Sequence, residues 1–256
     1  MRRLALDQAT ERRRTVPRKR HVKLRALADE LARVHPEITD PVERIVAGDV
    51  LVDGAVRTNP RSLVRLGASI VLASDVRLRG EAKLEAALSA FPVDVRGRIA
   101  LDVGAAAGGF TRVLLRAGAD RVYAVDAGHG HLLGSLRQDA RVVNLEAMNL
   151  GELDRTLVPD AVDVVTIDVS YLPLRKAVPQ LDRVAISPRA DAIALVKPQF
   201  ELGFARLPTR RADLDRAVRR ARDAFEAGAW RVTGVIASPV RGAHGAVEFL
   251  LQATRC

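Results

Sequence analysis

Two apolar runs in this sequence end in charge. Val164-Val165-Thr166-Ile167 leads into Asp168, and Ala194-Leu195-Val196 leads into Lys197 and then Pro198. Runs of this kind read as buried strands of an open α/β sheet, whose ligands gather outside the carboxyl ends of the strands. A carboxylate and an amine delivered to adjacent strand ends can orient one another and move a proton to or from a bound group.

A third signal is Leu101-Asp102-Val103-Gly104-Ala105-Ala106-Ala107-Gly108-Gly109-Phe110. It joins an apolar run to a helical one. Small residues there let the backbone approach a ligand closely, and the helix start supplies unpaired N–H groups. Gly104, Ala106, Gly108, Gly109 and Phe110 are therefore candidate cofactor contacts. Asp126 ends the next apolar run, 24 positions after Asp102, where an acid can accept from both hydroxyls of a ribose. Gly104-x-Ala106-x-x-Gly109 nearly satisfies a nicotinamide dinucleotide pattern. The Asp102 carboxylate would repel a pyrophosphate, however, and suits the methionine ammonium of S-adenosylmethionine or nearby water-mediated contacts. The methyl donor is the favoured cofactor.

The surrounding pattern supplies the elements that must hold these groups. From Arg98 onward strands and helices alternate, as in a doubly wound sheet. Strands are expected at Ile99–Val103, Arg121–Asp126, Val142–Leu145, Val162–Ile167 and Ala192–Val196, with a final pair at Arg231–Ala237 and Ala246–Ala253. Helices are expected at Gly109–Ala117, His129–Arg137, Leu174–Val184 and Asp213–Gly228. Residues 74–95 read as a linker and one helix, with Leu84, Ala87 and Leu88 on its apolar face.

Residues 23–73 read as a small α+β unit. Leu24, Leu27, Ala28 and Leu31 recur at helical spacing. Thr39-Asp40-Pro41 starts a second helix that Gly48 ends. Val50-Leu51-Val52, the turn Asp53-Gly54, and Ala55-Val56 form a hairpin, and Ser69–Leu72 adds a strand. Residues 1–22 form a basic arm expected to stay flexible; Met1–Arg25 holds ten Arg or Lys against two acids.

Bulk composition narrows the partners. The 256 residues carry 41 Lys and Arg against 31 Asp and Glu, a formal charge of +10, which points to a polyanion such as nucleic acid. The single cysteine, Cys256, excludes a disulfide framework and a cysteine-based metal site. No apolar run approaches the ~20 residues of a membrane span, and no secretory signal is read, so a cytoplasmic protein is expected.

These motifs together resemble a known family. The loop Asp102–Phe110, Asp168 in Ile167-Asp168-Val169-Ser170, and Val196-Lys197-Pro198-Gln199-Phe200-Glu201 are similar to the FtsJ-like methyltransferases. Ile45–Gly54 resembles the S-four-type RNA-binding module of ribosomal proteins and pseudouridine synthases. The combination resembles the TlyA (haemolysin A) family of ribosomal RNA 2′-O-methyltransferases. The resemblance implies a Rossmann-like class I methyltransferase sheet behind a small N-terminal α+β RNA-binding module. It also implies S-adenosylmethionine as cofactor, cytidine in ribosomal RNA or ribosomal subunits as substrate, and no metal.

The family's Lys-Asp-Lys-Glu tetrad falls on Lys83, in Arg79-Gly80-Glu81-Ala82-Lys83-Leu84, on Asp168 and Lys197, and on Glu248, in Gly245-Ala246-Val247-Glu248-Phe249. Lys197 then lies nearest the attacking oxygen and Asp168 bridges it to the donor. Lys83 and Glu248 are positioning partners. The sequence departs from the family in three places. Thr39-Asp40 replaces a Ser-Arg pair, Val76-Arg77-Leu78 lacks an aromatic residue, and the segment after Glu201 is short and lacks a lysine. The rival functions are a non-catalytic ribosome-assembly factor with a retained donor-like pocket, membrane lysis as the haemolysin label suggests, and, more distantly, a nicotinamide oxidoreductase.

Overall fold

A computed structural model describes residues 23–256, so the basic arm expected over 1–22 lies outside the described residues. The N-terminal elements are β1 (Leu24–Ala26), α1 (Leu27–Val34), α2 (Pro41–Val46), β2 (Val50–Val52), β3 (Ala55–Val56), β4 (Leu63–Arg65) and β5 (Ile70–Leu72). Asp40 caps α2 by accepting the Glu43 N–H at 2.8 Å, with Pro41 in the first turn. Asp53 and Gly54 both take positive φ, as a two-residue hairpin turn requires. One expectation fails here. Leu24 is not part of α1 but lies in β1, which pairs antiparallel with β4 through Leu24↔Arg65. That partner stands some forty residues away, beyond the reach of a local periodicity argument.

All three residues of β2 are buried because both of its faces are covered. Val50 and Val52 pack with Leu27, Leu31 and Ile45 in a core of their own. Leu51, between them, points the other way and packs with Val56, Phe110, Leu132 and Leu133. The small unit is thus fastened by an apolar face to the elements that follow. The Gly134 N–H donates to the Gly48 carbonyl at 3.1 Å, and a methyl group on Gly134 would overlap the carbonyl of Ala47.

The chain continues with α3 (Arg79–Ala90), β6 (Ile99–Val103), α4 (Gly109–Arg116), β7 (Arg121–Asp126), α5 (Gly134–Arg137), β8 (Val142–Glu146), β9 (Val162–Ile167), α6 (Leu174–Ala177), β10 (Ile186–Val196), α7 (Pro198–Leu202), α8 (Arg211–Ala227), β11 (Trp230–Ala237) and β12 (Phe249–Arg255). One seven-stranded sheet has the order β11-β12-β10-β9-β6-β7-β8. Strands β6 to β10 run parallel and β12 is antiparallel to both of its neighbours. This is the Rossmann-like sheet that the alternating pattern predicts. Successive strands move to opposite sides of β6, so the crevice for a ligand opens beyond the carboxyl ends of β6 and β9.

Several element boundaries differ from expectation: β10 starts at Ile186 rather than Ala192 and α8 at Arg211 rather than Asp213, and three further shifts have a local cause. The helix expected from His129 begins only at Gly134, because Gly130 takes φ +68° and breaks helical geometry. The helix from Leu174 gives way at Val178 to a 3-10 stretch through Arg183, where Pro179 removes an N–H donor. The last strand starts at Phe249, because His244 and Gly245 turn the chain with positive φ just before it.

Asp102 ties the sheet to its first crossover helix. It is fully buried, and its carboxylate accepts from Thr111 Oγ1 at 2.6 Å and from Thr166 Oγ1 at 2.8 Å. Burial pushes its carboxyl up to about 6, against the two threonine hydroxyls, which favour the ionised form. A carboxyl raised in the folded state stabilises the fold below the unfolded-chain value near 3.8 and loses that contribution as pH rises through about 6.

Two outcomes follow. Urea unfolding should show the wild type losing about 2 kcal/mol relative to Asp102→Asn between pH 4 and 7, by the conversion of pKa shift to free energy; a parallel pH dependence in the two proteins refutes the assignment. Gly134→Ala should cost roughly 1–3 kcal/mol through overpacking and speed proteolysis between the small unit and the sheet. Unchanged cleavage kinetics would show that the two are not joined at this point.

Candidate active site

The strand ends place the two charges read from the sequence side by side. Asp168 follows β9 and Lys197 follows β10, and these strands pair in parallel. Lys197 Nζ lies 2.5 Å from Asp168 Oδ1 and 2.6 Å from Ser170 Oγ. Lys83 reaches the same carboxylate from α3, with Nζ 3.9 Å from Asp168 Oδ2. Its other side meets Glu248 at the entry to β12, with Nζ 2.7 Å from Oε2. That last contact is one of charge rather than a directed hydrogen bond, since Glu248 Oε2 has no aligned donor. Side chains from four distant segments thus form one row, Glu248–Lys83–Asp168–Lys197, all largely withdrawn from water.

The position of Lys83 depends on how α3 meets α4. Gly109, at the start of α4, lies so close to α3 that a methyl group on it would sit 2.9 Å from the Gly80 Cα. Glu81, one residue on, is buried and accepts from Arg112 at 2.9 Å and Arg116 at 2.7 Å, both on α4. Burial alone would raise the Glu81 carboxyl, but the Leu78 N–H and the two guanidinium groups outweigh it and hold it below its ordinary value. Lys83 therefore extends from a helix pinned on two counts to the donor-loop helix.

The row lies on a cavity of about 570 Å³. Gly104, Ala106 and Asp168 form its floor, Phe200, Leu207 and Pro208 an apolar wall, and Arg79, Arg241 and His244 part of its rim. A second cavity of about 340 Å³ lies on the other side of the loop, where Gly109 and Phe110 face Leu51, Ser69 and Val71 of the small unit. Positive φ at Gly104, Ala106 and Gly108 folds the loop tightly, and the Gly104 Cα packs beneath the Asp168 carbonyl. Asp126 accepts the Ala106 N–H at 2.9 Å and the Gly128 N–H at 2.7 Å, one on each oxygen. Each oxygen keeps a further lone pair for a ribose hydroxyl.

Some candidate contacts are not on the cavity walls. Asp102 spends its carboxylate on Thr111 and Thr166 beneath the loop, so it shapes the loop rather than meeting an ammonium group directly. Gly108 turns toward Leu132 and Leu136 and acts as the left-handed cap of α4. The Phe110 side chain is almost wholly buried and packs against Gly80, so it presents little more than an edge to the second cavity.

The sequence reading assigned no role to several residues that the geometry brings in. Ser170 orients Lys197 and was visible only as a small residue two positions after Asp168. Glu146 accepts the backbone N–H groups of His131 and Leu132 and so fixes the loop beside Asp126. His131 stands 3.5 Å from Asp126 Oδ1 instead of starting a helix. Arg79 and Arg241 join at the rim, with Arg79 Nη2 donating to the Arg241 carbonyl at 3.4 Å.

Comparison with known proteins gives the family of the chain. The family model for FtsJ-like methyltransferases matches residues 76–255. The 16S/23S rRNA (cytidine-2′-O)-methyltransferase TlyA of Mycobacterium tuberculosis is 42% identical over 221 residues, 82% of this chain and 81% of that protein. Hemolysin A of Brachyspira hyodysenteriae is 33% identical over 80% of this chain and 89% of its own length. A solved Streptococcus thermophilus protein described as a hemolysin superposes with a TM-score of 0.68 at 29% identity, covering 91% of this chain and 88% of that one. By its sequence, its sheet and its relatives, the chain belongs to the FtsJ-like methyltransferase family and is a relative of TlyA.

Proposed function

We propose that this protein transfers a methyl group from S-adenosylmethionine to a ribose 2′-hydroxyl of ribosomal RNA, at cytidine, in the cytoplasm. In this reading residues 23–73 form an RNA-binding module, residues 74–95 a linker and helix, and residues 96–256 the methyltransferase domain. The observation that carries the reading is the convergence of Lys83, Asp168, Lys197 and Glu248 on one cavity beside the Gly104–Gly108 loop. Within that row two lysines face two carboxylates. The residues fit the methyl donor: Asp126 keeps acceptor capacity for ribose hydroxyls, and Gly104 and Ala106 leave bare backbone beside the Asp168 carboxylate.

When bound, S-adenosylmethionine supplies a methyl group on an activated sulfonium. A ribose hydroxyl is a poor nucleophile until it loses its proton. Lys197, set between Asp168 and Ser170, must first release its own proton; the neutral amine then accepts the hydroxyl proton, and the ammonium that forms stabilises the developing alkoxide. Asp168 and Ser170 hold the amine in place. Lys83, braced by Glu248, keeps the Asp168 carboxylate turned toward the cavity. Phe200, Leu207 and Pro208 exclude water from one side of the acceptor and strengthen each of these interactions.

The membrane-lysis reading has no support of this kind. Among the described residues no helix is long and apolar enough to cross a membrane.

Incubation with ribosomal subunits and labelled donor should place label on ribose 2′-oxygens; label on a base, or on no RNA, overturns the proposal. Lys197→Ala should lower kcat by roughly 10²–10⁴-fold, the span of a lost acid–base group, with donor affinity kept. Lys197→Arg separates the two roles of the amine, because a guanidinium keeps its charge but does not give up its proton. It should stay as inactive as the alanine variant, and recovery of activity would reduce Lys197 to a purely electrostatic part.

A further inference from the structure

The segment between α7 and α8 runs past the acceptor cavity and faces water on its other side. Leu207 and Pro208 line the cavity, and they also line a shallow outer depression of about 530 Å³ together with Phe204, Arg206 and Arg210. The Phe204 ring is 38% exposed, unusual for a phenylalanine. The Arg216 guanidinium stands over it, 5.6 Å from the ring centroid, and is held there by Asp213 at 2.9 Å. The exposed side chains of Arg206 and Arg210 make no hydrogen bond or ion pair among the described residues.

We propose that this edge binds an unpaired nucleotide next to the one that is methylated, with its base stacked on the Phe204–Arg216 pair and its phosphates on Arg206 and Arg210. The inference rests on the RNA reading above and deepens it. A ribose that enters the cavity must leave the helical stack, so the adjoining base loses a stacking partner. An aromatic ring backed by a guanidinium offers a replacement surface that suits any base. Cations without partners flank that surface, as phosphates would require. The shared wall of Leu207 and Pro208 makes the edge continuous with the cavity, so one strand can occupy both. A partner helix or sheet would need a broader apolar patch than one ring.

The test compares the full-length wild type with Phe204→Ala, Phe204→Trp, Phe204→Leu and the double variant Arg206→Glu/Arg210→Glu. Affinity for ribosomal RNA is measured by filter binding over a range of salt, alongside methylation kinetics. Phe204→Ala should weaken RNA binding and raise KM about tenfold, within the range for one lost base stack. Its kcat and donor affinity should stay unchanged. Phe204→Trp should restore binding and Phe204→Leu should not, which separates stacking from packing. The double variant, on exposed side chains that the fold does not use, should weaken binding and reduce the salt slope by about 1.4, or 0.7 for each single-strand phosphate contact.

Equal RNA affinity in all five proteins overturns the proposal, as does rescue by leucine. Loss of affinity only for an acidic protein, with RNA binding intact, would assign the edge to another partner and also overturns it. A wild type that methylates no RNA defeats the functional reading instead, and the binding arm still decides whether the edge holds RNA.

Discussion

One constraint governs the molecule: the carboxylate of Asp168 has to sit between two lysines that arrive from opposite directions. Isolated charges withdrawn from water are costly, and removing one member of such a pair strands the other. Lys83, 9% exposed at its side chain, is tolerable only because Glu248 and Asp168 flank it, and Lys197 only because Asp168 and Ser170 do. Buried ion pairs of this kind contribute little net stability compared with apolar replacements. Three of them, shared among four side chains in one mouth, are better explained by chemistry than by folding. The long link, 3.9 Å between Lys83 and Asp168 Oδ2 against 2.5 Å on the Lys197 side, leaves Oδ2 the less engaged of the two oxygens.

That row needs support from outside itself. Lys83 is where it is because Gly109 admits α3 to close range and because Glu81 is clamped by Arg112 and Arg116. Asp168 is where it is because its own N–H donates to the Val103 carbonyl and its carbonyl caps the bare Cα of Gly104. The same α4 that receives Glu81 is anchored to β6 and β9 through Asp102 and its two threonines. The donor loop, α3 and the strand ends therefore form one rigid frame. The small unit shares in it, since Leu51, Val56 and Ala73 belong to the apolar cluster that holds Phe110, Leu114 and Leu132.

How much of this the residues disclose in advance depends on whether the signal is local. Asp168 and Lys197 were legible because a charge at the end of an apolar run contrasts with everything before it. The sheet was legible because strand and helix periods alternate cleanly from Arg98. Lys83 and Glu248 were legible only through family resemblance. A lysine on an amphipathic helix looks like any surface lysine, and Glu248 follows a turn, Ala243–Gly245, that breaks the periodicity. The face that Asp102 occupies was not legible, for a different reason. A motif gives proximity along the chain but not the face a side chain occupies. Alternation in β6 puts Asp102 on the face of Ala100, which packs with α4, while Leu101 and Val103 face the opposite core. Leu24 was misread because its strand partner is distant in sequence.

Charge works on two scales in this protein. The whole chain is strongly basic, yet the row at the cavity is balanced, two cations against two anions. A net positive reacting centre would bind phosphates indiscriminately. The surplus cations stand outside that mouth. Arg79, Arg241 and His244 occupy the rim, and Arg206 and Arg210 the adjoining edge. A polyanion is then drawn to the surface by the long-range field, and only a ribose need enter the interior. The separation explains how one fold can grip RNA by its phosphates without trapping those phosphates at the reacting centre.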